Sequence, residues 1–416
     1  MPEPAAASPT RLTRHPSFRL FWSARTFSNG AFMMQGVAVG WQIYDLTNNP
    51  LDLGLVGLVQ FFPLVALAVI IGPVADRFDR RVVAAISQVG KGLAAAALAL
   101  GTLSGSLNRE AMLAIVLLSG TARAFEMPTM HAMVAGIVPP LMLPRAIAAS
   151  ATAQQTAVIS GPSIGGLIYA FAGPAAVYAI CTLIFVAAAV LISLVELTPR
   201  REPPKPISFD TLFAGFRYIR HSPIVLGAIS LDLFAVLLGG VTALLPIYAR
   251  DILNAGPWAL GLLRSSPALG ALVMSVVLAR RAIEGRAGLI MFAAVGTFGL
   301  ASLAFALSTS IVLSCLALTV YGAADAISVV IRQSLIQLRT PYEMLGRVLA
   351  VNSMFSGSSG SLGEFRAGVI AAALGAVPSA LIGGAGAIVV MLAWMWAFPQ
   401  LRAVDRLAPD GKGQGA

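Results

Sequence analysis

Long apolar runs are the feature that most constrains how this chain can fold. A helix needs about 20 mostly apolar residues to cross the hydrocarbon core of a bilayer, and the sequence holds twelve such runs between polar, proline or glycine breaks. Because backbone polar groups find no partners in lipid, these runs predict an all-α membrane protein with twelve transmembrane helices. We number them spans 1 to 12: 20–43, 53–75, 82–104, 111–134, 146–172, 175–197, 223–248, 258–280, 287–308, 311–335, 347–374 and 378–399.

The composition excludes a soluble enzyme. Only 11% of the 416 residues are charged, whereas a soluble domain carries roughly 25%. The formal net charge of +10 comes from bases set between apolar runs, which indicates membrane topology rather than nucleic-acid binding. Cys181 and Cys315 lie inside apolar runs without a metal-ligand spacing. We therefore expect no metal site, no cofactor and no disulfide framework.

The basic residues indicate how the chain is oriented in the membrane. Of the 28 Lys and Arg residues, 20 fall in tails and loops on one side, two (Arg109 and Arg250) on the other, and six within spans. Cytoplasmic loops carry the excess of Lys and Arg. We therefore expect a multi-pass protein of the inner (plasma) membrane with both termini in the cytoplasm.

The chain divides into two similar halves joined by a long linker. An offset of 202 residues aligns Pro139 with Pro341 and Arg145 with Arg347. Six spans repeated in the same orientation give two pseudo-symmetric six-helix bundles, an arrangement typical of transporters whose halves rock about a central site. The linker has an amphipathic stretch at 208–221. The predicted segments are an N-terminal tail, a first bundle, a linker, a second bundle and a C-terminal tail: 1–19, 20–197, 198–222, 223–399 and 400–416.

The loop between spans 2 and 3 reads GPVADRFDRR, which fits the pattern G-x-x-x-D-R-x-x-R-R without a missing residue. This resembles the loop 2-3 signature of the major facilitator superfamily. Its members here are Gly72, Asp76, Arg77, Arg80 and Arg81. We expect the acid to accept hydrogen bonds from a neighbouring helix N-terminus and the arginines to hold the loop at the cytoplasmic face. The alternative is a basic cytoplasmic loop without a locking role.

Span 5 carries Gly161, Pro162, Gly165 and Gly166, which resemble a pattern of the superfamily's proton-coupled exporters. The proline can bend the helix and the glycines allow close packing, and packing alone is the alternative. The same segment also fits G-x-S-x-G through Ser163. A serine hydrolase needs a strand-turn-helix elbow and a reachable histidine, so we expect no enzyme.

Longer segments extend the resemblance over almost the whole chain. HPSFRLFWSAR enters span 1, LFAGFRYIRHSPIV enters span 7, TPYEMLGRV precedes span 11 and SLGEFRAG lies within it. These segments resemble the enterobactin-exporter-like, or transmembrane secretion effector, branch of the superfamily. The resemblance implies the major facilitator fold, with a central cavity lined by spans 1, 4, 7 and 10.

Ionisable residues inside the spans are the candidate functional groups, because charges at membrane depth are costly unless paired or hydrated. Superimposing the halves sets Arg25 on Asp232 and Arg123 on Asp325. The resemblance implies that such pairs face each other across the axis and act as gates. The alternative is pairing within each half, with Arg123 using Glu126 three residues away. Proton-coupling candidates are Glu126, Asp232 and Asp325; span 11 adds Glu364 and Arg366.

These features predict a secondary transporter that works by alternating access. We expect proton-coupled export of a small, partly apolar organic molecule such as a siderophore, drug or metabolite. The expected partners are that molecule, protons and the lipid bilayer, with no nucleic acid and a monomeric chain. Uptake, facilitated diffusion and a non-transporting sensor or scaffold are the alternatives.

Overall fold

Helices occupy all twelve predicted span positions, which confirms the predicted fold class. The computed structural model describes residues 12, 15–67, 70–71, 74, 77–197, 209–281, 283 and 285–406, and no strand occurs among them. Spans 5 and 6 share one helical run, and span 2 is described only in part beyond residue 67. The helices of spans 1 to 12 are Pro16–Thr47, Pro50–Ala66, Arg80–Leu103, Arg109–Ile137, Leu143–Ser193, Pro223–Gly239, Pro257–Arg280, Ala287–Ala306, Ile311–Arg339, Tyr342–Leu374 and Ala376–Ala397.

Local capping explains where several spans begin. The Asp79 carboxylate accepts a hydrogen bond from the Arg81 backbone N–H at 2.9 Å and caps span 3. The Asn108 side chain accepts one from the Ala111 N–H at 2.8 Å and caps span 4. The Arg81 side chain also bonds the Asp79 carboxylate and holds its pKa below the usual value. These caps satisfy N–H groups that have no partner in the first helical turn.

Two glycines related by the internal repeat separate consecutive spans. Gly173, between spans 5 and 6, has φ 77°, and Gly375, between spans 11 and 12, has φ 95°. These left-handed values favour glycine, because a Cβ would clash with the backbone there. The two positions lie 202 residues apart, so the same offset that aligns the sequences also aligns this backbone conformation.

Span 7 is less regular than the continuous run at 223–248 predicts. Its main helix ends at Gly239, and the chain continues through a short turn, Thr242–Leu244, and a π-helical turn, Tyr248–Ile252. Adjacent glycines at 239 and 240 weaken the helix, and Pro246 lacks the N–H that a continuous helix would use. The run is predominantly apolar on both sides of the break, so hydropathy alone does not reveal the interruption.

Contacts divide the chain into two compact units. The first consists of residues up to Ala38 together with Phe62–Pro206, and the second of Val39–Phe61 with Ile207–Ala416. Buried side chains of spans 1, 4 and 6, including Phe21, Met133 and Ile192, form a core of the first unit. Buried side chains of spans 7, 9 and 10, including Leu231, Phe292 and Ile331, form a core of the second.

The segment Val39–Phe61 is packed into the second unit by close backbone contacts. A Cβ added at Gly54 in span 2 would lie 3.0 Å from the Phe365 Cα in span 11. The Tyr44 hydroxyl donates a hydrogen bond to the Asp251 carboxylate. The end of span 1 and the start of span 2 therefore belong structurally to the second unit.

The predicted amphipathic linker stretch forms the helix Phe209–His221. Its Tyr218 hydroxyl donates to the Arg339 carbonyl oxygen at 2.9 Å, and its buried Ile219 packs with Val225 and Val348. The linker helix therefore packs on the second unit.

The helices of spans 1 and 11 are among the less apolar ones. Eight helices of the described residues are long and apolar enough to cross a membrane on length and composition alone, and one of them contains spans 5 and 6. The helices of spans 1 and 11 are not in that set, and span 2 is shorter. A polar span in a multi-span protein points towards neighbouring helices or water rather than lipid.

Candidate functional site

A buried ion pair lies at the centre of the first unit. Lys91 Nζ of span 3 is 2.7 Å from Glu126 Oε2 of span 4, and the two side chains are 0% and 6% exposed. Lys91 also donates to the Ser28 hydroxyl at 2.6 Å, and the Gln88 amide donates to Glu126 Oε1 at 2.7 Å. Both carboxylate oxygens of Glu126 are thus engaged. From the sequence, Glu126 is a proton-coupling candidate and Lys91 is one of the six bases within spans. The alternative of pairing within one half has Arg123, rather than Lys91, as the partner of this acid.

A cavity of about 540 Å³ opens beside this pair, with walls from spans 1, 4 and 5. The Arg25 side chain lines this cavity, and its Nη2 lies 3.1 Å from His131 Nε2. The Arg123 guanidinium stands 3.9 Å from the centre of the Phe32 ring, a cation–π distance. Neither guanidinium forms an ion pair with a carboxylate of the described residues.

The second unit holds a buried ion pair of its own. Arg332 Nη1 of span 10 is 2.7 Å from Asp232 Oδ2 of span 7, and the side chains are 4% and 6% exposed. The same nitrogen lies 3.1 Å from Asn352 Oδ1 and 2.7 Å from Ser356 Oγ of span 11. Arg332 is one of the six bases within spans, and the sequence does not identify it as a site residue. The sequence feature that could have revealed this pair is that spans 7 and 10, both mostly apolar, carry charges of opposite sign.

Asp325 lies next to this pair but is not part of it. It lines a small cavity together with Asp232 and Phe298, and it makes no hydrogen bond or ion pair with any described residue. Among the described residues, Arg332 is the base that acts on both carboxylates, and in their charged forms the three groups together carry one excess negative charge. An unpaired carboxylate in such a low-dielectric site is costly in its charged form.

Glu364 and Arg366 of span 11 have different partners. Glu364 Oε1 accepts a hydrogen bond from the Thr242 hydroxyl at 3.0 Å, and a Cβ added at Gly57 would collide with its carboxylate. Arg366 Nη2 donates to the Gly240 carbonyl oxygen at 3.4 Å. The two charges therefore stabilise separate contacts with the irregular part of span 7.

The loop 2-3 signature is described only in part. Gly72 and Asp76 lie outside the described residues, and Arg77 is exposed. Arg80 Nη1 donates to the Ala132 carbonyl oxygen of span 4 at 3.5 Å, and Arg81 Nη1 donates to that of Val195 at 3.3 Å. The described arginines thus connect this loop to the ends of spans 4 and 6.

The span 5 motif forms a close contact with span 1. A Cβ added at Gly161 would lie 2.7 Å from Met33 Cβ, and one added at Gly165 would lie 2.8 Å from Met34 Cα. Pro162 and Gly166 are buried as well. The motif therefore allows two helix backbones to approach closely.

Neither a serine-hydrolase elbow around Ser163 nor a metal site assembles in the described part of the chain. Ser163 lies inside a helix, so the strand-turn-helix elbow of a serine hydrolase is not formed around it. No group of three or more His, Cys, Asp or Glu side chains comes together there that could hold a metal ion. The buried charges described above are the chemically distinctive groups.

Comparisons with known proteins agree on one class of protein. Residues 7–412 match the family described as Transmembrane secretion effector. The chain is 27% identical over 412 residues to the enterobactin exporter EntS of Shigella flexneri, with 96% of each chain covered. It is 28% identical over 409 residues to EntS of Citrobacter koseri, covering 97% of this chain and 96% of the relative.

Solved structures are similar in fold. A bacterial homologue of the lysosomal transporter Spinster superposes with a TM-score of 0.69 at 12% identity, covering 95% of this chain and 97% of the other. A D-xylose-proton symporter gives a TM-score of 0.70 at 15% identity, covering 96% and 99%. At these identities the similarity concerns the fold alone.

Proposed function

This chain belongs to the transmembrane secretion effector family of the major facilitator superfamily, and on that premise we propose that it exports a small, partly apolar organic molecule in exchange for protons. The full-length similarity to proteins named enterobactin exporters supports outward transport and a siderophore-like molecule. The distribution of bases supports an orientation with both termini in the cytoplasm. A scaffold would have no need of titratable groups buried at membrane depth.

The observation that carries proton coupling is the unpaired carboxylate of Asp325. It lies beside the Asp232–Arg332 ion pair, and uptake of one proton would neutralise the three-residue cluster. Glu126 is less suited to this role because Lys91 and Gln88 engage both of its oxygens. We therefore assign the coupling proton to Asp325, with the ion pair as the neighbouring charge that responds to it.

Transport into proteoliposomes tests this assignment. With an imposed pH gradient and no ATP, enterobactin should be moved against its gradient, and a protonophore should stop that movement. Asp325→Asn should lose the response to the pH gradient but keep exchange of labelled for unlabelled enterobactin. The matched control is Glu110→Gln, which removes an exposed carboxylate and should leave both activities unchanged. An undiminished response to the pH gradient in Asp325→Asn would refute the assignment.

The two gating pairs are a second part of the proposal, and they rest on the internal repeat. Arg123 and Asp325 occupy equivalent positions, and neither has an ion-pair partner among the described residues, which supports a transient pair between them. The case for Arg25 with Asp232 is weaker because Asp232 already contacts Arg332. A double-mutant cycle of Arg123→Ala and Asp325→Ala, scored by transport, measures the first pair. Simple additivity would mean that the two residues do not interact.

A further inference from the structure

The cavity of the first unit combines positive charge with an apolar wall. Its volume of about 540 Å³ lies within the range of roughly 300–1,000 Å³ that small-molecule sites occupy. Met127, Met130 and Val134 of span 4 form part of the apolar lining, together with side chains of span 5. Methionine adapts its shape to ligands of irregular outline. The cavity therefore fits a molecule with a substantial apolar body.

The charges that line this cavity do not balance. Arg25 and Arg123 face it, as does Glu126, but Lys91 already neutralises that carboxylate. Among the described residues, the three bases Lys91, Arg25 and Arg123 thus face one carboxylate, which leaves two positive charges in excess. Buried or half-buried charges of one sign are stabilised by a partner of the other sign. The cavity therefore favours the binding of an anion.

The two guanidinium groups are held in place by neutral neighbours. His131 Nε2 contacts one nitrogen of Arg25 at 3.1 Å, and the Phe32 ring lies against the Arg123 guanidinium. Stacking uses the face of a guanidinium and leaves its N–H edge for an acceptor. Arg123 forms no hydrogen bond with a described residue, so its donors remain available to a ligand.

We infer that the molecule bound here and exported is an organic anion, an inference that rests on the proposed transport function. Its acidic group lies between Arg25 and Arg123, which bind the oxygens through paired N–H donors. Its apolar body lies against the methionine side of the cavity. A carboxylate, sulfonate or acidic phenol on an aromatic body has this chemistry.

Binding of matched probes to the full chain tests the inference. The probes are 2-naphthoate, its neutral amide 2-naphthamide and the cation 2-naphthylmethylammonium, titrated against protein in phosphatidylcholine nanodiscs. Naphthoate should bind about tenfold more tightly than the amide, because hydrogen bonds to a charged partner are the stronger ones. Arg25→Gln and Arg123→Gln should each remove most of this preference while leaving the affinity for the amide within about twofold, which also establishes that the variant is folded.

Matched controls separate the inference from its alternatives. Arg109→Gln removes a base at the start of span 4 that does not line the cavity, and it should leave the preference intact. Equal or weaker binding of naphthoate, or a preference that survives both arginine substitutions, overturns the inference. Loss of naphthoate binding on adding phosphatidylglycerol to the nanodiscs would assign the site to a lipid headgroup and overturn it as well.

The proposed function can fail independently of this inference. If enterobactin transport responds to a pH gradient while no probe shows anion preference, the anion site is wrong and proton-coupled export stands. If anion preference is present while transport ignores protonophores, proton coupling is wrong and the anion site stands.

Discussion

Breaking the Lys91–Glu126 pair should destabilise the first unit strongly. At 2.7 Å and an effective dielectric constant of about 20, two unit charges attract by about 6 kcal/mol, and desolvation offsets part of this. Lys91→Met leaves the Glu126 carboxylate with hydrogen bonds and the longer-range attraction of Arg123, but with no ion-pair partner. Losing one partner of a buried pair costs about 3–5 kcal/mol. The double variant Lys91→Met/Glu126→Gln should be far milder, within about 1 kcal/mol of the wild type.

Unfolding of the four proteins in mixed micelles, titrated with sodium dodecyl sulfate and followed by tryptophan fluorescence, measures this cycle. The coupling energy should exceed about 2 kcal/mol. The control cycle is Arg109→Met with Glu110→Gln, an exposed pair 3.6 Å apart, for which about 0–1 kcal/mol is expected. A cost below about 1 kcal/mol for Lys91→Met, or additive costs in the double variant, would refute the reasoning.

Three further substitutions address other parts of the chain. Gly54→Ala places a Cβ 3.0 Å from the backbone of Phe365 and should lower the unfolding free energy by about 1–3 kcal/mol. The control is Gly346→Ala, whose added Cβ meets nothing within 4 Å. It should leave the unfolding free energy unchanged in the same sodium dodecyl sulfate titration. Asp79→Asn keeps a side-chain oxygen that can cap the helix but removes the carboxylate, whose pKa the hydrogen bond from Arg81 lowers in the folded protein. The wild type should therefore be the more stable protein at neutral pH, and the difference should vanish as the pH falls through that lowered pKa; a gap that persists in acid would count against the charge. Asp76→Asn should reduce transport without reducing membrane insertion measured by immunoblot, and normal transport would argue against a lock in this loop.

Hydropathy predicted the positions of the helices but not which way they face. Apart from Asp232, the helices 223–239 and 287–306 are predominantly apolar on every side, so their sequences contain no apolar stripe that marks a buried side. The sequence accordingly located the charges Lys91, Glu126 and Asp232 without revealing that Lys91 meets Glu126 and that Asp232 meets Arg332. Those pairs depend on helix rotation and on contacts between different spans.

The internal repeat predicted more than composition did. It aligned Gly173 with Gly375, and both adopt the positive φ that glycine favours. It did not predict the interruption of span 7 after Gly239, since the corresponding part of span 1 continues as one helix to Thr47. A repeat transfers backbone geometry where residues match, and the two halves have diverged at this point.

The uneven charges of the two units determine how voltage would act on the transport cycle. On the two proposals above, a cavity with an excess of two positive charges takes a monovalent anion outward, and the Asp325 cluster takes one proton inward. Each turnover would then move the equivalent of two positive charges inward. A membrane potential of 100 mV contributes about 2.3 kcal/mol per charge, so it would supply about 4.6 kcal/mol to each cycle. Export would then be electrogenic. A cell with no pH difference across its membrane could still run it on the electrical potential alone.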